Sequence, residues 1–273
     1  MSTRIRNVGV RDHSLSPAQA EVHVLVTAES RTPTTEVRGR LMGPSCPYSS
    51  TVEVAYALRS LPGDGEALAG RVVIPEASLW EPESPFLYRG PVELWQDGIR
   101  CDRVTVSHGL RSLSLGPHGL RVNGRPLTLR GREAGRLSDG EALALRRAGC
   151  NLLVTPADEA SAALWDTADR LGFLVLGRVA DAGDETLRRL AELERHPSCL
   201  GWLAPGDLRA RLPSEWRVGV EWDGAALPAG VSFVVGTGEA AAAGLPLLVT
   251  GGEETHAQVS KRANVPPLLG WVG

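Results

Sequence analysis

With 273 residues, 42% of them hydrophobic, the chain can bury one large core or two moderate ones, and its length favours two domains. A formal net charge of -3 gives no electrostatic reason to expect nucleic acid or an anionic membrane as partner. The first residues hold no apolar run of signal-peptide length, and no segment approaches the roughly 18 apolar residues of a membrane span, so a cytoplasmic location is expected. Cys46, Cys101, Cys150 and Cys199 are widely spaced with no histidines at ligand spacing, so no metal or cofactor is expected and the thiols read as free.

In chain order, the first hundred residues carry short runs of period-two alternation at Glu21–Thr27, Thr35–Leu41, Thr51–Leu58, Gly70–Ile74, Tyr88–Gln96 and Arg100–Val106. Turn-rich pieces such as Pro62-Gly63-Asp64-Gly65 and Gln96-Asp97-Gly98 separate them, at the spacing of a small β-sandwich. An all-β domain over 1–108 follows. After Gly109 apolar strand-like runs alternate with helical periods, the signature of repeated β-α units. Helices are predicted at Asp139–Ala148, Glu159–Leu171, Asp184–Arg195 with Asp184 as N-cap, and Glu254–Arg262.

Eight candidate strands fall at Leu127–Gly131, Asn151–Thr155, Phe173–Leu176, Cys199–Leu203, Arg217–Trp222, Val231–Val235, Pro246–Thr250 and Leu268–Val272. Eight suggest a closed (β/α)8 barrel over 109–273, although roughly 165 residues is short against about 200 to 250. Little room remains for helices around the fifth and sixth strands, and whether the last strand closes the ring stays open.

The stretch Ile74–Trp95, IPEASLWEPESPFLYRGPVELW, resembles the end of the immunoglobulin-like domain of glycoside hydrolase family 2 enzymes, the β-galactosidases, β-glucuronidases and β-mannosidases. The likeness continues through Val122-Asn123-Gly124-Arg125-Pro126, Gly149-Cys150-Asn151, the run Trp165–Gly172 and His196-Pro197-Ser198 followed by Trp202. The resemblance implies an immunoglobulin-like sandwich followed by a compact, reduced TIM-type barrel, without the family's N-terminal sugar-binding jelly roll, hence a truncated relative.

That family's chemistry needs two carboxyl groups about 5 to 5.5 Å apart, one as acid/base and one as nucleophile. The resemblance places the acid/base at Asp207, where Pro205-Gly206-Asp207 replaces Gly-Asn-Glu. It places the nucleophile at Gly251, with Glu253 and Glu254 two and three residues later. The arginine and histidine of the family's Asn-x-x-Arg-x-x-His run are Val154 and Ala157 here, and the expected acidic end of the third strand is Gly177-Arg178.

Apart from the resemblance, Asp207 reads as a turn residue and Glu253 and Glu254 as acids favouring a helix N-terminus. Trp202, Trp222 and Trp271 lie on or beside predicted strands and are candidates for stacking on a sugar face, or for core packing. The leading expectation is a non-catalytic relative with a carbohydrate-binding or scaffold role. Two alternatives stand beside it: a retaining β-glycosidase using Asp207 and Glu253, and a protein-interaction module. A carbohydrate, an oligomer or a partner protein are the partners expected.

Overall fold

The computed structural model describes residues 3–62, 67–158, 161–262 and 264–273. The turn Pro62-Gly63-Asp64-Gly65 and the start of the predicted helix at Glu159 lie largely outside them. The chain forms two compact units, Met1–Arg111 and Ser112–Gly273.

The first unit holds β1 (Ile5–Leu15), β2 (Gln19–Ala28), β3 (Glu36–Ser45), β4 (Val54–Leu61), β5 (Leu68–Pro75), β6 (Leu87–Gln96) and β7 (Ile99–His108). They pair antiparallel in the order β1-β2-β5-β4-β3-β6-β7. Because β4 pairs with β3 along one stretch and with β5 along another, the sheet turns a corner there and folds into an immunoglobulin-like sandwich. Period two does the sorting: β2 buries Ala20, Val22, Val24 and Val26 and turns Glu21, His23 and Leu25 outward. The motif residues Trp80 and Tyr88 are fully buried. Tyr88 Oη accepts from Ser78 N at 2.9 Å, and burial pushes the phenol up to about 12.

The second unit opens with a small sheet of β8 (Leu113–Gly116), β9 (Gly119–Val122) and β10 (Arg125–Pro126). A closed barrel follows, from β11 (Leu129–Glu133), β12 (Leu152–Pro156), β13 (Leu174–Arg178) and β14 (Cys199–Leu203) through β15 (Val218–Glu221), β16 (Phe233–Gly236), β17 (Leu247–Thr250) and β18 (Leu268–Val272). All pairings are parallel, and β18 joins both β17 and β11. That closing seam depends on Gly270, at φ 138, whose added Cβ would lie 1.8 Å from Leu129 O.

Helices cover one side of the ring. Helix α1 (Asp139–Arg147) starts at a capping box in which Ser138 and Glu141 bond each other's backbone N–H. Helix α2 (Ala162–Leu171) stops at left-handed Gly172. Helix α3 (Asp184–Leu193) is capped by Gly183, so Asp184 is its first helical residue rather than the anticipated cap. These helices bury Ala142, Leu164, Trp165, Ala168 and Leu190 in one core with Leu153, Val175, Trp202 and Val218 of the strands. Beyond β14 the connections are 3-10 turns at Gly206–Arg211 and Gly238–Ala243 and the short helix α4 (Gly252–Val259). The core there is smaller, built on Val220, Val234, Leu247, Val249 and Val259. No helix among the described residues is long and apolar enough to cross a membrane.

Candidate functional site

In (β/α)8 barrels the C-terminal strand ends carry the chemistry, and pleating decides which side chains there face the axis. Gly131 faces the lumen, since an added Cβ would lie 2.8 Å from Val272 Cγ2 and 3.0 Å from Leu152 Cδ2. Two residues on, Glu133 therefore rises from the same side of β11 at the mouth. Glu221 stands two residues beyond Gly219, whose added Cβ would strike the Phe233 ring at 2.3 Å. Arg178 ends β13 in the same way, two residues past buried Leu176.

These three side chains meet. Arg178 Nη2 donates to Glu133 Oε1 at 2.5 Å, and its Nη1 donates to Glu221 Oε1. They come from the first, third and fifth barrel strands, the alternate-strand layering expected of this fold. Burial tends to lower the Arg178 pKa, but its bonds to Glu221 and Glu133 outweigh this and hold it above the ordinary arginine value. The side chains of Glu133 and Glu221 are 64% and 61% exposed, so the arrangement opens to solvent and each pair is worth about 0 to 1 kcal/mol.

A retaining glycosidase needs one protonated carboxyl and one free carboxylate. Here one guanidinium stands between two carboxylates and bonds to both. The remaining carboxylate oxygens and guanidinium N–H groups suit hydrogen bonding to hydroxyls or to a carboxylate.

Asp207 and Glu253, singled out from sequence, lie on the connections after β14 and β17. Asp207 is exposed in the 3-10 turn after β14. Buried Arg209 anchors that turn by donating to Gly230 O at 2.8 Å and Leu212 O at 3.1 Å. Glu253 is exposed in the first turn of α4. It lines a groove of about 430 Å³ with Arg130, Arg132, Cys150 and Trp271. Arg130 and Arg132 flank lumen-facing Gly131, so they lie on the outer side of the wall, and the groove is an outer one. Gly251 caps α4 at φ 94, and Thr255 Oγ1 donates to its carbonyl at 3.0 Å.

The tryptophans separate too. Trp202 is fully buried between strands and helices, its ring 5.8 Å from Trp165 and 5.7 Å from Trp216. Trp222 is half-buried and donates Nε1 to Ala225 O at 3.2 Å. Trp271 sits on the outer face of β18, 5.0 Å from the His256 ring. By parity Trp202 and Trp271 face outward from the ring, away from the lumen side shared by Glu133, Arg178 and Glu221.

Glu133 and Glu221 escape a reading by motif because their importance is set by strand parity. The available signal is a charged residue two positions beyond a lumen-facing glycine at a strand end. Behind the ring, Asp169 of α2 accepts from Ser198 N at 3.0 Å and pairs with His196 Nδ1 at 2.7 Å. Burial tends to lower the His196 pKa, but the Asp169 bond and the Asp169 and Asp166 charges raise it. With Asp166 this forms a group of ligand type, but the Asp169 oxygens are already engaged in tying α2 to the approach to β14.

Comparison with known proteins agrees with this architecture. Residues 3–111 match the family described as glycosyl hydrolases family 2. A β-galactosidase of Bacteroides ovatus is 27% identical over 137 residues, covering 43% of this chain and 16% of that protein. A solved family 2 member from Bacteroides cellulosilyticus superposes with a TM-score of 0.73 at 17% identity, covering 99% of this chain and 46% of that one. A Bifidobacterium dentium β-glucuronidase, solved with coumarin-3-O-glucuronide, gives 0.69 at 16% identity, covering 99% and 60%. The chain thus spans less than two thirds of the length of these relatives.

Proposed function

We propose that this glycoside hydrolase family 2-like chain is a non-catalytic relative whose barrel mouth binds a carbohydrate. The observation that carries this reading is the guanidinium of Arg178 bridging Glu133 and Glu221 at the mouth. Two placements support it: Asp207 is exposed on an anchored turn, and Glu253 lines an outer groove with Arg130, Arg132 and Trp271. A two-carboxylate reaction through Asp207 and Glu253 requires both to reach one anomeric carbon, and that placement argues against it.

The mouth suits a ligand with adjacent hydroxyls, or one carboxylate, able to displace one glutamate from Arg178 and engage the other. Titration of the chain with methyl β-galactoside, β-glucuronide and β-mannoside, followed by NMR, tests it. Binding of at least one, weakened about tenfold or more by Arg178→Met through loss of the charged donors, is the expected result. Binding of none, or binding indifferent to Arg178→Met and Glu221→Gln, overturns the reading. The interaction-module alternative would be favoured by an open barrel edge, whereas the described barrel strands close on themselves.

A further inference from the structure

Outside the barrel, three metal-ligating side chains converge on the outer face of the sandwich. Glu21 and His23 are i and i+2 on β2, where alternation turns both away from the core formed by Ala20, Val22 and Val24. The third comes from β1, beside an irregularity in its pairing. Asp12 pairs with Val22 and Ser14 with Glu21, so His13 is an extra residue opposite a single step of β2. Arg11 is the cross-strand partner of outward-facing His23, so alternation puts His13, two residues on, on the same face, and the bulge lets His13 and Ser14 both stand there beside Glu21.

The geometry is close. The His13 and His23 rings stack with centroids 4.0 Å apart and planes 9° from parallel. His23 Nε2 lies 2.9 Å from Glu21 Oε1. One ligand atom from each of the three residues falls within 4.8 Å of the others. Two imidazole nitrogens and one carboxylate oxygen are the donors preferred by zinc and the later first-row divalent ions, with a fourth position left for water. His13 is exposed and the other two are half-buried, so the site is accessible. Two cations stand nearby: Arg71 Nη1 lies 3.9 Å from Glu21 Oε2, and Arg11 is the cross-strand partner of His23. Their charges oppose a cation, and the Glu21 carboxylate is the negative member of the ligand set.

We propose that His13, Glu21 and His23 form a binding site for a divalent transition-metal ion of the zinc class, clamping β1 to β2 across the bulge. The clamp needs no change of fold, because all three ligands already stand on paired strands. It is independent of any ligand at the barrel mouth.

Equilibrium dialysis of the full chain against Zn2+ at pH 7.5, with Co2+ absorption in the visible as a report on ligation, tests the proposal. The expected result is one Zn2+ per chain, a higher Tm with Zn2+ present, and uptake weakened about tenfold or more by His13→Ala and by His23→Ala. Both substitutions fall on the solvent face, and unchanged circular dichroism confirms that each variant folds. Asp166→Ala serves as a control on the other group of ligand type and leaves uptake unchanged. Absence of Zn2+ uptake at concentrations up to about 1 mM, uptake unaffected by both histidine substitutions, or uptake lost with Asp166→Ala would each overturn it.

Discussion

From β11 to β14 the barrel alternates strand with α-helix, and its outer layer is a continuous apolar core in which Trp165, Trp202 and Trp216 pack as tilted rings. From β15 to β18 the strands are as regular, but the connections shrink to a loop, a 3-10 turn and an eight-residue helix over a smaller core. The ring closes in both halves. A barrel sheet is held by its own ladder and lumen packing, so the outer helices can be pared back where a strand pair is otherwise supported. What such paring removes is the layer that orients loop residues, and Asp207 and Glu253 both sit on the reduced connections.

That contrast can be broken most sharply at the tryptophans. Trp202→Ala should cost about 3 to 5 kcal/mol in urea unfolding, because a fully buried ring leaves a cavity that its neighbours cannot fill. Trp271→Ala on the outer face of β18 should cost about 1 kcal/mol or less, since the ring is half-exposed. Equal losses would mean that the two halves are packed alike. Gly270→Ala should cost about 3 kcal/mol or more, by forcing a Cβ onto Leu129 O at a positive φ, and should loosen the β18–β11 seam in hydrogen exchange.

A subtler distinction lies in pH. The His196 pKa is raised in the folded state, so its stabilising contribution is complete below the unfolded value near 6.5 and is lost as pH rises through the folded value. Wild-type stability should therefore decline from about pH 6.5 upward, and His196→Gln should remove that component. The smallest effect belongs to the mouth: Arg178→Met should change stability by less than about 1 kcal/mol, because its partners are largely exposed.

Much of this contrast was legible in the residues themselves. All eight barrel strands follow from short apolar runs, and the scarcity of helix after the fourth strand follows from the short gaps between them. Closure was not legible, because it depends on Gly270 approaching Leu129 across the longest sequence separation in the barrel. Strand β1 carries a mixed polar pattern, Ile5 to Leu15, with Val10 its one fully core-facing residue, so alternation gives no signal there. The three-stranded β8–β10 sheet was likewise hidden in a stretch rich in turn residues.

The site divides in the same way. The resemblance points to Asp207 and to the Gly251 position by order along the chain, and the structure puts both on the reduced connections. Glu133 and Glu221 become visible only when pleat and register are known, since adjacent Arg132 and Trp222 carry equally plausible side chains on the opposite parity. His13 has the same character: alternation gives its face, but only the pairing of β1 with β2 sets it beside Glu21 and His23.

The central claim is that the mouth is arranged around an arginine-bridged pair of carboxylates instead of a working acid and nucleophile. Hydrolysis of chromogenic β-galactoside, β-glucuronide and β-mannoside substrates by the purified chain tests it most directly, with Asp207→Ala, Glu253→Ala, Glu133→Gln and Glu221→Gln measured alongside. The account predicts no turnover above the buffer rate that any of the four substitutions alters. Turnover abolished by Asp207→Ala or Glu253→Ala, or by either glutamate at the mouth, would contradict it.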